Sequence, residues 1–226
     1  MVAGVQAVAE GIWTEARPLR FAGIETGTRM TVVRLAKGGL LLHSPVSITP
    51  STRAAVDALG PVTALIAPSR FHHLWVRDWM QAYPDAIACC CPGLARKRGD
   101  LAWSRVLGDR PEPEWEGEID QVFFGARRLE DEVVFFHRAS RTLVCADAVF
   151  NLASHPSRLT RLVARLMGNR RPGTTLAERL LIRDRVAARE QVDRMLAWKP
   201  ERILLAHGAC IETGGEEVLR RAYAWL

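Results

Sequence analysis

The 226-residue chain lacks the common short motifs of catalysis. It has no G-x-G-x-x-G, no P-loop, no G-x-S-x-G, no C-x-x-C and no H-E-x-x-H, which removes the simplest dinucleotide, nucleotide, serine-hydrolase and zincin readings. No apolar run approaches the roughly 18 residues that a membrane-spanning helix needs. Met1 to Trp13 has no basic region ahead of an apolar run, so no secretory signal is expected there. The five cysteines (Cys89, Cys90, Cys91, Cys145 and Cys210) have an odd count and no framework spacing, which predicts reduced thiols and a cytoplasmic protein. Lysine is scarce, at three of the 31 basic residues, so the positive charge is carried by arginine. Apolar content of 48% excludes disorder and supports a sizeable core. No repeat, low-complexity tract or linker interrupts the chain, and a single domain over residues 1–226 is expected.

Charge is unevenly placed. Residues 1–150 are neutral overall, whereas residues 151–226 hold the whole net charge of +6. Arg158, Arg161, Arg165, Arg170 and Arg171 lie in a stretch, Ser157 to Pro172, with no acidic residue. This is either a solvated helix face or a surface for an acidic partner, a nucleic acid or an anionic membrane. No aromatic residues interleave with the arginines, so nucleic acid is not expected.

Periodicity orders the elements. Met30–Leu35 and Leu40–His43 form a hairpin about Lys37-Gly38-Gly39. Pro50–Leu59 reads as a helix capped by Thr49 and stopped at Gly60-Pro61. Val62–Ala67, the helix Leu74–Ala82 and Ala86–Cys91 make a βαβ unit. The polar stretch Gly108–Glu118 reads as a surface loop. Ile119–Phe124, Leu129–Phe136 and Thr142–Ala146 are short strands. Helices are expected over Ser157–Gly168, Thr175–Trp198 and Gly214–Leu226, with a strand at Arg202–Ala206. On the Thr175–Trp198 helix, Asp184 and Arg185 fall inside the apolar face, as an ion pair or a pocket wall. These elements suggest two sheets covered by helices.

Three buried strands end in polar residues: Val62–Ala67 before Pro68-Ser69-Arg70-Phe71-His72-His73, Thr142–Ala146 before Asp147, and Arg202–Ala206 before His207-Gly208. Strand ends at one sheet edge are where sites are built in α/β sheets. His and Asp suit zinc, iron or manganese. A bland alternative is open for each: His73 as a hydrogen-bonded residue at a helix start, His72 facing solvent, Asp147 as the N-cap of a turn. His43, in His-Ser-Pro, ends a strand near the same edge, as a pocket residue or a structural one. His137 and His155 read as surface or hairpin histidines. Cys89-Cys90-Cys91 reads as small buried hydrophobes rather than thiolate ligands.

At these segments the sequence resembles the metallo-β-lactamase fold superfamily, which carries His-x-His-x-Asp-His after a strand, a lone His, a strand-end Asp and a late strand-end His. Here Pro68 and Arg70 replace the first two His, His72 replaces the Asp, and His73, Asp147 and His207 match. The lone His has no counterpart between Pro92 and Phe136. Met30–Leu35, His43-Ser44-Pro45-Val46, His72-His73, Tyr83-Pro84-Asp85-Ala86 and Thr142–Asp147 resemble one branch, domain of unknown function 4336.

The resemblance implies an αββα sandwich. It also implies a degenerate site in which one of two metals survives, one divalent ion held by His72, His73, Asp147 and His207. It suggests a metal-dependent, hydrolase-like protein for a small substrate. Arg70, standing where a metal ligand would be, predicts at most one metal and an anionic group on the substrate, unless it makes a surface salt bridge with Asp78 or Asp100. The catalytic residues stay unassigned. The alternatives are a non-catalytic binding protein on the same fold and a protein whose basic C-terminal third binds an acidic partner.

Overall fold

The computed structural model describes residues 4–126 and 131–226. In chain order it runs β1 (Gln6–Ala9), β2 (Ile12–Arg17), β3 (Arg20–Phe21), β4 (Ile24–Glu25), β5 (Thr28–Arg34), β6 (Leu40–His43), α1 (Pro50–Asp57), β7 (Val62–Ala67), α2 (Val76–Ala82), β8 (Ile87–Cys90), α3 (Pro92–Lys97), β9 (Arg105–Val106), β10 (Ile119–Phe124), β11 (Glu132–His137), β12 (Thr142–Val144), α4 (Arg158–Leu166), α5 (Leu176–Leu181), α6 (Arg185–Ala197), β13 (Arg202–Leu204) and α7 (Gly215–Ala222).

Seven strands form one sheet in the order β1-β2-β5-β6-β7-β8-β9, and four form a second, β10-β11-β12-β13; β3 and β4 make a separate small hairpin. Both larger sheets are mixed. Antiparallel pairing gives way to parallel at β6–β7 in the first and at β12–β13 in the second.

Strand alternation explains the layering. In β11, Val133 and Phe135 join the cluster between the sheets, while Val134 and Phe136 face α6 and α7. In β5 to β7, Val33, Leu41 and Ile66 point inward, while Val32, Leu42 and Leu65 pack outward with Val56 of α1 and Trp79 of α2. Three apolar layers therefore lie between four layers of structure, the expected αββα sandwich. At roughly 1.5–3 kcal/mol per fully buried large side chain, these layers dominate the stability.

The helix ends follow their side chains. Thr49 accepts from the Thr52 amide and Pro50 opens α1. Ser157 caps α4, and Thr175 with Glu178 forms a reciprocal capping box on α5.

Several expectations change. The helix expected over Thr175–Trp198 is two helices, because Ile182 is extended and Asp184 caps α6 through the Ala187 amide. Asp184 and Arg185 are exposed, so neither is a buried ion pair nor a wall of the main cavity. The Gly108–Glu118 stretch is anchored by Trp115, which is fully buried and donates to Gln121. The strands β1 and β2, the hairpin β3–β4, α3 and β9 have no counterpart in the sequence reading. The start of the expected Leu129–Phe136 strand lies outside the described residues. His137 and His155 are buried, not surface residues, and His137 closes the β11–β12 hairpin opposite Thr142. Cys89, Cys90 and Cys91 are buried in the inter-sheet core as small hydrophobes. Burial pushes the Cys90 and Cys91 thiols up to about 12. No helix among the described residues is long and apolar enough to cross a membrane.

Candidate metal centre

The polar segments after β7, β12 and β13 meet at one edge of the sandwich. The segment after β7 is tied to the second sheet: the Val133 amide donates to the Pro68 carbonyl at 2.8 Å, and Ser69 bridges Glu132. Glu132, fully buried, accepts from the Ala146 amide and from the Asp147 amide, the latter at 2.9 Å. That carboxylate clamps the turn that presents Asp147. Sequence reasoning missed Glu132, which opens β11 beside residues outside the description.

Three side chains converge. His72 Nε2 lies 3.1 Å from His207 Nε2, and Asp147 Oδ1 lies 3.3 Å from each of those nitrogens. All three residues are buried, and they form a group with the right atoms to hold a metal ion.

The far atom of each side chain is held. His207 Nδ1 donates to the Gly27 carbonyl at 2.8 Å, which leaves Nε2 as the lone-pair atom of the neutral ring. His72 Nδ1 meets Ser44 Oγ at 2.7 Å, and Ser69 Oγ donates to Asp147 Oδ2 at 3.1 Å. Metal-binding side chains are oriented by such outer partners. Ser44 sits at φ 53, a conformation uncommon for residues other than glycine and enriched at functional sites. Phe150 stacks on the His207 ring, 5.5 Å between centroids.

The donor set fits a divalent ion. With both Nε2 atoms presenting lone pairs, the two nitrogens and the carboxylate oxygen in mutual contact would repel one another unless a cation sat among them. Ligand distances of about 2.0–2.2 Å in a tetrahedron put neighbouring ligand atoms roughly 3.3–3.6 Å apart, close to the spacings found here. A proton is the competing cation. Burial alone would raise the Asp147 pKa, yet His72 and His207 hold it well below the usual carboxylate range. Burial alone would lower His207, yet Asp147 raises it.

His73, the fourth expected ligand, is turned away from the trio. Its Nδ1 accepts from Arg98 Nη1 at 3.1 Å. A guanidinium only donates, so the ring proton of neutral His73 sits on Nε2. Burial, then Lys97 and Arg98, push the His73 pKa down to about 4. His73 is therefore a neutral side chain on the cavity wall rather than part of the converging group.

Arg70 does not line the cavity. Its Nε faces Asp131 Oδ1 at 4.0 Å, and Asp131 also accepts from the Gly93 amide at 2.6 Å. The absence of a side chain at Gly93 makes this room, since a Cβ there would overlap the Asp131 carboxylate and the Arg70 stem. The charge expected to greet a substrate anion is paired instead, and with Asp131 rather than Asp78 or Asp100.

His43 is also set back from the cavity. It is 2% exposed, packs edge-on against Phe135 at 5.5 Å, and its Nε2 makes no hydrogen bond among the described residues. Burial, then the neighbouring His72, lowers its pKa to about 3. In the unfolded chain the ring takes a proton below pH 6.5, and in the folded chain it does not. Its contribution to stability is therefore full above pH 6.5 and is lost as pH falls from there toward 3. At pH 5 the loss is about 2 kcal/mol. Denaturant unfolding with chelator present should show the stability difference between pH 7.5 and pH 5 shrinking by about that amount in His43→Leu. An unchanged difference would mean that the folded ring takes up its proton as readily as the unfolded one.

Above the trio opens a cavity of about 320 Å³. Its walls include Leu19, Phe21, Phe71, Trp75, Phe150 and Met167, and its polar lining includes His72, His73, Asp147 and His207. An apolar pocket with a few convergent polar groups is the usual form of a small-molecule site.

Comparison with known proteins agrees with this picture. The chain resembles solved metallo-β-lactamases at low identity over nearly its whole length. The enzyme from Pontibacter korlensis is 12% identical, covering 97% of this chain and 98% of that one, with TM-score 0.65. The metallo-β-lactamase from Hirschia baltica is 14% identical, covering 98% and 95%, with TM-score 0.65. DIM-1 metallo-β-lactamase exposed to ceftazidime is 14% identical, covering 98% and 96%, with TM-score 0.68. At these identities the likeness establishes the fold alone. No curated protein matches the chain in sequence. The family model described as domain of unknown function (DUF4336) matches residues 9–179. The chain thus belongs to the DUF4336 family and has the metallo-β-lactamase fold.

Proposed function

We propose that this protein is a metal-dependent, hydrolase-like enzyme with a mononuclear site held by His72, Asp147 and His207, acting on a small substrate with a substantial apolar part. The observation that carries the reading is the donor triangle, with sides of 3.1 to 3.3 Å and every outer atom anchored, at the floor of an apolar cavity. A divalent ion, with zinc, iron or manganese suited to these donors, supplies Lewis acidity toward a substrate oxygen.

The chain's own residues supply the rest. Ser44, Ser69 and the Gly27 carbonyl hold the three donors in orientation. The aromatic walls exclude water and seat the apolar part of the substrate. His73, with its proton on Nε2, is a fixed hydrogen-bond donor for a substrate oxygen. The paired state of Arg70 removes the reason to require an anionic substrate.

The test is elemental analysis of untagged protein purified without chelator, followed by a panel of ester, thioester, lactam and phosphodiester substrates with and without chelator. About one equivalent of metal and chelator-sensitive turnover are expected. Protein that carries almost no metal and takes none from added zinc or manganese would instead be a non-catalytic binding protein on this fold.

The same preparation separates three ligands from four. His73→Ala should keep one equivalent of metal with affinity lowered by no more than about 100-fold, while His207→Ala should lose it, since outer residues typically change affinity by about 10–100-fold and ligands by more. Loss of the metal in His73→Ala would return His73 to the ligand set.

A further inference from the structure

Helix α4 carries two stripes that the site does not use. Leu159, Leu162 and Leu166, spaced i, i+3 and i+7, stand 55%, 54% and 70% exposed. Arg158, Arg161 and Arg165 form the adjacent stripe, and Thr160 and Ala164 are the residues buried against the protein. The helix is fixed in place on the β3–β4 hairpin, where the Thr160 hydroxyl donates to the Glu25 carbonyl at 2.8 Å.

The leucine stripe leads to the cavity. Met167, the residue that ends α4, is itself partly exposed and lines the cavity with Phe21 and Phe71. Phe21 is 62% exposed, and its ring meets Phe71 edge-on at 6.3 Å. Between residues 157 and 183 the chain has seven arginines and one acidic residue, Glu178, which is buried in the α5 capping box. The apolar surface is thus bordered by cations with no exposed anion in the segment.

We propose that this face, α4 with the mouth of the cavity, docks on an anionic lipid surface. The leucines project instead of lining a groove, and a projecting apolar stripe gains most from a fluid medium that closes around it. The arginines beside it lie where headgroup phosphates would be, with their stems along the apolar boundary. A second copy of the chain fits this face poorly, because a two-fold contact would set arginine against arginine. Docking in this pose turns the cavity mouth toward the lipid. The proposal does not depend on a metal being bound.

Co-sedimentation of the full chain with vesicles tests it. Vesicles of phosphatidylcholine mixed equally with phosphatidylglycerol should retain the protein, and phosphatidylcholine alone should retain it weakly. Arg158→Gln with Arg165→Gln should weaken binding roughly 30-fold, at about fivefold per charge. Leu162→Glu with Leu166→Glu should weaken it at least about tenfold. All four positions are exposed, and circular dichroism checks that each variant is folded. No retention on either vesicle overturns the proposal. So does equal retention of wild type and the leucine variant, which would indicate a polyanion site without insertion. A wild-type dimer by sedimentation velocity that the leucine variant dissociates would assign the face to a second copy and overturn it as well.

Discussion

Replacing Asp147 with Asn should cut the thermal stabilisation that zinc gives the wild-type chain to about a third or less. An ion that binds only the folded state adds roughly 4 kcal/mol at a thousandfold excess over Kd. For a chain of this size, each kcal/mol moves Tm by about 2–4 °C, so the wild-type shift should be roughly 8–16 °C. Asp147 supplies the only negative charge of the trio, and it is buried between two imidazoles. Asparagine keeps the shape and the hydrogen bond from Ser69, but it removes that charge, and affinity should fall at least about 100-fold. Differential scanning calorimetry with and without zinc, and with chelator as control, reads this directly. A zinc-induced shift in the variant equal to wild type would place the ion elsewhere and end the trio assignment.

Glu132→Ala should cost about 3–5 kcal/mol of stability in the metal-free protein. Its carboxylate is fully buried and accepts two consecutive backbone amides at the turn after β12. Hydrogen bonds to charged groups contribute about 1.5–3 kcal/mol each, and the two amides would be left buried without their acceptor. Glu132→Gln should fall between, because one oxygen still accepts while the amide nitrogen opposes the other donor. Urea unfolding with chelator measures both. The same variants should weaken metal binding by about 10–100-fold through the loosened Asp147 turn, which makes Glu132 a positioning residue. If Glu132→Ala unfolds within 1 kcal/mol of wild type, the clamp is not what holds the turn.

The strands that carry the site were legible because they are apolar runs that end in chemistry. Val62–Ala67, the Thr142 strand and the Arg202 strand lie where their composition puts them, and their ends bring His72, Asp147 and His207 together. His73 stands outside the trio, its Nδ1 held by Arg98, 25 positions downstream, across a helix that the sequence does not announce. The partner of Arg70 is hidden for a related reason, since Asp131 lies just ahead of β11 of the other sheet. The break before α6 was hidden because the apolar spacing continues through Ile182, and only the capping geometry of Asp184 reveals a new start. Strand β1 was missed because its side chains are largely outside the core, so burial leaves no alternation in them.

The trio straddles the join between the two sheets. His72 follows β7 of the larger sheet, whereas Asp147 and His207 follow β12 and β13 of the smaller. Arg29 of β5 crosses the same join, donating to the Leu205 and Gly208 carbonyls. An ion at this place is a rivet between two plates. Amide exchange along the seam, rather than within either plate, is where its arrival would be recorded. A protein built this way would have a mechanical reason to keep the three donors, apart from any chemistry in its cavity.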